Sequence, residues 1–341
     1  MSLFNELLKV SLGTRDKLSR VPALHEWTAL LNEARHKSVA AVLSYGIEKL
    51  PEEQKPSEAA WQHWLESRHN AEAMYNHHLK RARELSERFR EAGFKCCVLK
   101  GVGIAQLYPD PAWRKCGDVD LWLAGSRKEA MKWMAAEGRV GHIMWHNVHA
   151  VLPPDLSSDV LFHPTWLYKP SHNRPLQRFF NRNMAAQMEV DESLGIAYPS
   201  ARFNAVYTLS HIFRHFLSEG SGIRHIIDYF YILKALKADE REWVMKQIRR
   251  IGIAKFAGAI MWVMKDVCGA PDEMLLCKPD KKEGTFFLEE NARPGTHHTS
   301  GSLRKSRSRD HARRVSLHYP GETFWIRPWK RWHKWWRTFN K

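Results

Sequence analysis

Residues 97–123 read CVLKGVGIAQLYPDPAWRKCGDVDLWL, and this stretch decides the fold class. Phe94–Leu99 is apolar and β-prone. Lys100-Gly101-Val102-Gly103 follows at once, before a short helical stretch that ends near Tyr108-Pro109. Asp118–Leu123 then alternates carboxylate and apolar residues, the pattern of a strand with one buried face. Residues i and i+2 of a strand share a face, so Asp118 and Asp120 project together while Val119 and Leu121 enter the core. Neighbouring carboxylates repel unless water or a cation lies between them, and hard Mg²⁺ prefers such oxygen donors. A glycine directly after a strand lets the backbone approach a phosphate, and the N-terminus of a following helix favours anions. An Asp-x-Asp pair by itself is a common solvated strand edge. The specific feature is the order: strand, Lys-Gly, helix, then the Gly-Asp-Val-Asp-Leu strand.

Downstream, Ser126 with Glu129 three residues later predicts a helix through about Ala136. His142–Trp145, His149–Leu152 and Asp159–Phe162 read as three short strands, with Asp155 in a turn after Pro153-Pro154. Upstream, residues 1–92 are helical in pattern, most clearly Glu58–Ala92, which Gly93 stops. From Arg174 the pattern is helical again, in Ala201–Leu217, Ile223–Leu236, Glu240–Arg250 and Ala254–Val267. A loop-like stretch then runs from Gly269 to about Ser302. The expected fold is α+β: N-terminal helices (1–92), a small mixed-sheet core (93–170), and a larger helical domain (171–341). The last includes a basic loop (302–314) and a C-terminal aromatic and basic helix, with Pro328 as its first helical residue.

The chain has 341 residues, 44% hydrophobic and 26% charged, which excludes wholesale disorder and fibrous architectures. Its longest uncharged helical run, Phe256–Met264, is far short of the roughly 20 residues a bilayer span needs. The N-terminus lacks the pattern of a signal peptide, and five cysteines suggest no disulfide framework, so a cytoplasmic setting is expected. The net charge of +16 points to nucleic acid until it is located: residues 301–341 hold twelve Lys and Arg against Asp310 and Glu322. The remainder carries only +6, so a nucleic-acid partner is not favoured.

The 97–123 order resembles the DNA polymerase β-like nucleotidyltransferase superfamily. Within it, the chain is most similar to a bacterial, uncharacterised nucleotidyltransferase family with an LKG…YPDP…R…GDxDL signature. Leu99-Lys100-Gly101, Tyr108-Pro109-Asp110-Pro111, Arg114 and Gly117-Asp118-Val119-Asp120-Leu121 match it as they stand. The likeness continues through Phe162-His163-Pro164-Thr165-Trp166 and His211…Asp228 to the Tyr319-Pro320…Trp325 region. One departure is Gly101-Val102, where the superfamily usually has Gly-Ser or Gly-Gly. The resemblance implies transfer of an NMP from an NTP to a hydroxyl of a small molecule, sugar or protein. It implies Mg²⁺ or Mn²⁺ on Asp118, Asp120 and a third acid, which it selects as Asp159. Lys100, Gly101 and Arg114 become candidates for contact with the nucleotide phosphates. The alternatives are a catalytically silent nucleotide-binding protein and a membrane-surface interaction protein.

Nineteen histidines invite a zinc site. However, His142, His146 and His149 scatter on a hairpin, and no cysteine lies near His211 or His215. No zinc site is expected, and His211, His215 and Asp228 remain pocket-lining candidates. In the terminal segment, Trp329, Trp332, Trp336 and Phe339 follow spacings of three and four, with Lys and Arg on the other faces. Packing of this stripe against the protein is favoured over membrane contact, although weak peripheral contact through residues 325–341 is allowed.

Overall fold

The computed structural model describes residues 2–218, 220–292 and 302–339. Four helices open the chain, α1 (Leu3–Leu12), α2 (Leu24–His36), α3 (Ala40–Glu48) and the long α4 (Glu58–Glu91). Gly93, at φ +83°, takes the left-handed turn that releases the chain from α4 into β1 (Lys95–Leu99). There follow α5 (Gly101–Ala105), β2 (Asp120–Ala124), α6 (Arg127–Glu137), β3 (Arg139–Ile143), β4 (Asn147–Leu152) and β5 (Leu156–Leu161). The Ser126 hydroxyl accepts from the Glu129 N–H and caps α6, as the sequence predicts. The helical part comprises α7 (Pro170–Asn183), a minimal β6–β7 hairpin (Val190–Asp191, Ile196–Ala197), α8 (Ala201–Ser218), α9 (Ile223–Ala235), α10 (Ala238–Ile251) and α11 (Ala254–Asp266). It continues through α12 (Lys281–Ala292), α13 (Ser302–His318) and α14 (Pro320–Phe339).

The five strands form one mixed sheet in the order β1-β2-β5-β4-β3, in which only β2 and β5 run parallel. The fold is therefore α+β, as expected. Each face of the sheet has its own core. On one face Cys96, Val98, Leu121, Leu123, Val148, Ala150 and Val160 pack with Leu79, Ala82, Leu85 and Phe89 of α4 and with Ala130 and Met134 of α6. On the other, Cys97, Leu99, Trp122 and Leu161 join the large core of the helical part. Trp122 stacks on Phe203 of α8, with ring centroids 5.3 Å apart. The N-terminal half of α4 contributes Trp64 to this second core, together with α1–α3.

Three expectations are corrected. The stretch after Gly269 contains α12. A Cβ at its Gly284 would lie 2.6 Å from Trp262 and 2.9 Å from the Ala259 carbonyl, so the glycine permits α12 to pack closely on α11. The basic run 302–314 is helical, within α13, rather than a loop. It lacks Gly and Pro, and His311 and Arg314 anchor it by bonding Glu290, His311 also reaching the Phe216 carbonyl. Finally, α14 begins at Pro320, so Pro328 lies inside it. Pro328 and Phe324 both face solvent, where water can take the carbonyl that the proline leaves without an N–H. The inward stripe is accordingly Glu322, Trp325, Trp329, His333 and Trp336, whereas Trp332 and Phe339 lie exposed.

Candidate functional site

Register brings the acidic residues together. Asp120 opens β2 and pairs with Leu99 on one side and Asp159 on the other, so both carboxylates rise from one sheet face. Asp118 lies two residues upstream on extended chain just before the ladder, where the Val119 carbonyl accepts from the Asp159 N–H at 3.0 Å. One carboxylate oxygen from each of Asp118, Asp120 and Asp159 lies within 4.8 Å of the others. Among the described residues, no other trio of His, Cys, Asp or Glu comes together this way. Asp118 is exposed, Asp159 half-buried and Asp120 buried, so one ligand is rooted in the core while the others open to solvent.

Burial pushes the Asp120 carboxyl up to about 6; Lys100 opposes this, while Asp118 and Asp159 add to it. The Lys100 ammonium stands 3.0 Å from Asp120 Oδ2. The arrangement fits a divalent cation: three converging oxygen donors whose mutual repulsion one lysine only partly offsets. Lys100 itself adopts φ +48°, an uncommon conformation for a non-glycine residue, at the turn from β1 into α5. Gly101 is buried beneath the acidic strand, and a Cβ there would lie 3.3 Å from the Asp118 carbonyl. Gly103 is tighter still, with a Cβ only 2.3 Å from the Val98 carbonyl. The two glycines thus let α5 fold back against β1 and the Asp118 segment. Gly103 carried no role in the sequence reading.

Arg114 does not join the acidic trio. It is buried, and its Nε and Nη2 donate to the two carboxylate oxygens of Asp228 on α9 at 2.7 and 2.9 Å. The Tyr108 hydroxyl donates to the same Asp228 at 2.6 Å. Burial pushes Asp228 up, yet Arg114 and Tyr108 overcome it and hold the carboxyl below its ordinary range. This bidentate pair ties the 114–119 segment, and with it Asp118, to the helical part.

Two further groups border the trio. His149 lies opposite Asp159 in the β4–β5 register, with its Nδ1 3.2 Å from Asp159 Oδ1, while Ser157 Oγ sits 3.2 Å from its Nε2. Among the described residues, His142, His146 and His149 do not come together in one group. On α8, Tyr207 and His211 follow Phe203 at helical spacing. Among the described residues, neither the Tyr207 hydroxyl nor His211 Nδ1 has a hydrogen-bond partner, although both residues are buried. Burial, then the charge of Asp120, pushes the Tyr207 hydroxyl well up, so it remains a proton donor. The rings of His211, His215 and His225 stand 4.4–6.0 Å apart and so line one compartment, whereas Asp228 is taken up by Arg114.

These histidines make stability depend on pH. Burial, and then positive neighbours, push His146 down to about 2 and His211 well below its ordinary value; burial pushes His225 down to about 3 against the opposing charge of Asp228. The unfolded chain therefore binds protons below about pH 6.5 that the folded chain refuses. Stability should be full above pH 7 and fall as the pH drops below 6.5, by on the order of 1 kcal/mol per pH unit for each histidine. Asp120, whose folded pKa is raised, works in the opposite sense between about 4 and 6. Urea unfolding between pH 7.5 and 5 measures the slope, and His211→Gln should flatten it. An unchanged slope would show that His211 accepts a proton in the fold.

Fold and site together define an α+β protein with an acidic trio on a mixed sheet, the class expected from residues 97–123. The family model described as uncharacterised nucleotidyltransferase matches residues 24–269, and the chain belongs to that family. Membership assigns nucleotidyl transfer as its general chemistry and an NTP as substrate. Comparison with curated proteins finds no match. The matched span contains the trio, Lys100, Gly101 and Arg114, and it ends before α12, short of the Tyr319-Pro320…Trp325 segment.

Proposed function

We propose that the protein is a metal-dependent nucleotidyltransferase that moves an NMP from an NTP to a hydroxyl of a small molecule, sugar or protein. The observation that carries this reading is the meeting of Asp118, Asp120 and Asp159 within 4.8 Å, on residues inside the family match. Asp118 and Asp120 would hold Mg²⁺ or Mn²⁺ at the triphosphate, and Asp159 would share a second ion on the acceptor side. A divalent ion bound there supplies neutralisation of phosphate charge and lowers the pKa of a nearby hydroxyl.

The chain's own groups supply the rest. Lys100, rooted in a strained turn beside Asp120, offers its ammonium to phosphate oxygens once the carboxylate has another cation to balance it. Gly101 and Gly103 fix that turn, and Arg114 positions the Asp118 segment without touching substrate. Asp159, 3.2 Å from His149 Nδ1, would alternatively act as the general base that takes the acceptor's proton. The Tyr207 hydroxyl lies within reach of the charges of Asp120 and Asp118, and His211 within reach of Lys100. The test is incubation with each α-labelled NTP, Mg²⁺ or Mn²⁺ and cell extract, followed by identification of the labelled species. A labelled acceptor with stoichiometric pyrophosphate is expected. NTP binding without pyrophosphate release under every condition would replace this reading with a silent nucleotide-binding protein.

A further inference from the structure

Helix α14 buries only part of its aromatic content. Trp329 stacks on Trp166 with ring centroids 5.1 Å apart, and His333 stacks on Trp329 at 4.9 Å, which seats the inward stripe. The outward side keeps Phe324 69%, Trp332 40%, Trp335 59% and Phe339 70% exposed. At 3.6 residues per turn, these four and Pro328 fall within an arc of about 80°, spread over roughly 22 Å of helix. Arg327, Lys330, Arg331, Lys334 and Arg337, all exposed, fill the adjoining arc. The sole carboxylate on the helix, Glu322, faces inward, where it accepts from the Tyr168 and Lys169 N–H groups. The apolar surface continues at Trp332 into a cavity of about 480 Å³ lined also by Trp145, Leu167, Trp325 and Pro328.

We propose that this face of α14 docks on the surface of an anionic lipid bilayer. The rings would enter the headgroup boundary while the cations meet lipid phosphates, as in helices that lie in the interface plane. No helix among the described residues is long and apolar enough to cross a membrane, so the contact is peripheral. A second copy of the chain is a poor occupant. A two-fold contact sets the same patch against itself and gathers ten cations at one seam, with Glu322 of each helix turned inward.

The test uses the full chain and sedimenting vesicles of phosphatidylcholine, with or without phosphatidylglycerol. Binding is expected only with phosphatidylglycerol and should weaken as salt rises. Trp335→Ser/Phe339→Ser and, separately, Lys330→Gln/Arg331→Gln/Lys334→Gln should each lower vesicle affinity at least about tenfold. Both sets alter exposed residues, so melting temperatures should match wild type. The proposal is overturned by equal binding to both vesicles or by variants that bind as wild type does. It is equally overturned by a salt-stable dimer that the same substitutions dissociate, or by a single-stranded oligonucleotide that binds this face in preference to the vesicles.

Discussion

Asp118→Asn and Asp120→Asn are expected to lower pyrophosphate release from NTP by at least two to three orders of magnitude, while the protein stays folded. The trio sits on one sheet face with one oxygen of each residue within 4.8 Å of the others, so each substitution removes a third of the negative charge offered to a cation. Fold should survive because Asp118 is exposed and because neutralising Asp120 relieves a carboxylate that burial already disfavours. Asp159→Asn should lose turnover comparably yet keep more of its NTP binding, since its proposed place is on the acceptor side. Rapid-quench turnover and equilibrium NTP binding, measured on the same preparations, separate the two effects. Wild-type turnover by Asp159→Asn would remove it from the site.

The largest loss of stability is expected at Arg114. Asp228→Ala would leave a guanidinium buried without its counter-charge, at a cost of about 3–5 kcal/mol. Arg114→Met would strand Asp228 in the same way, though Tyr108 would still donate to it. Replacing both partners with apolar residues should restore most of the stability, because no charge is then left buried. It should not restore activity, since the tie that holds the 114–119 segment against α9 is lost with the pair. Thermal unfolding and turnover of the two single variants and the double variant measure this. A double variant as unstable as either single one would mean that packing, rather than charge, explains the effect.

The mixed sheet was legible because its signals are local: the Asp-x-Asp alternation, the Ser126 cap and the turn at Asp155. The contacts that assemble the site are mostly not local. Nothing near Arg114 in the sequence indicates Asp228, which lies on a helix 114 residues away, so a charge suited to phosphate reads the same as a charge committed to a buried partner. His149 meets Asp159 only through the β4–β5 register, which a list of strands leaves open. Nothing beside Gly103 in the sequence marks its constraint, which comes from the Val98 carbonyl that a Cβ would meet at 2.3 Å. In the helical part, α12 and the charge-dense α13 show no long apolar stripe that would mark them as helices. The phase of α14 differs from that expected with Pro328 as its first residue, because Pro328 sits inside the helix on the solvent side, where a helix tolerates it.

The two faces of the sheet begin to be covered at different times as the chain is made. Once Leu161 has left the ribosome, α4 and α6 can already cover Val98, Leu121 and Val160. Cys97, Leu99, Trp122 and Leu161 must wait for α7 and α8, whose Phe180 and Phe203 reach the ring of Trp122. Synthesis from Leu161 to Ser218 takes roughly 3–11 s at about 5–20 residues per second. For that interval the nascent chain carries a half-clothed sheet whose bare side is the one bearing the acidic trio. Asp120 then stands in water, fully charged and unremarkable, and acquires its raised pKa only when the last helices close over the face beside it.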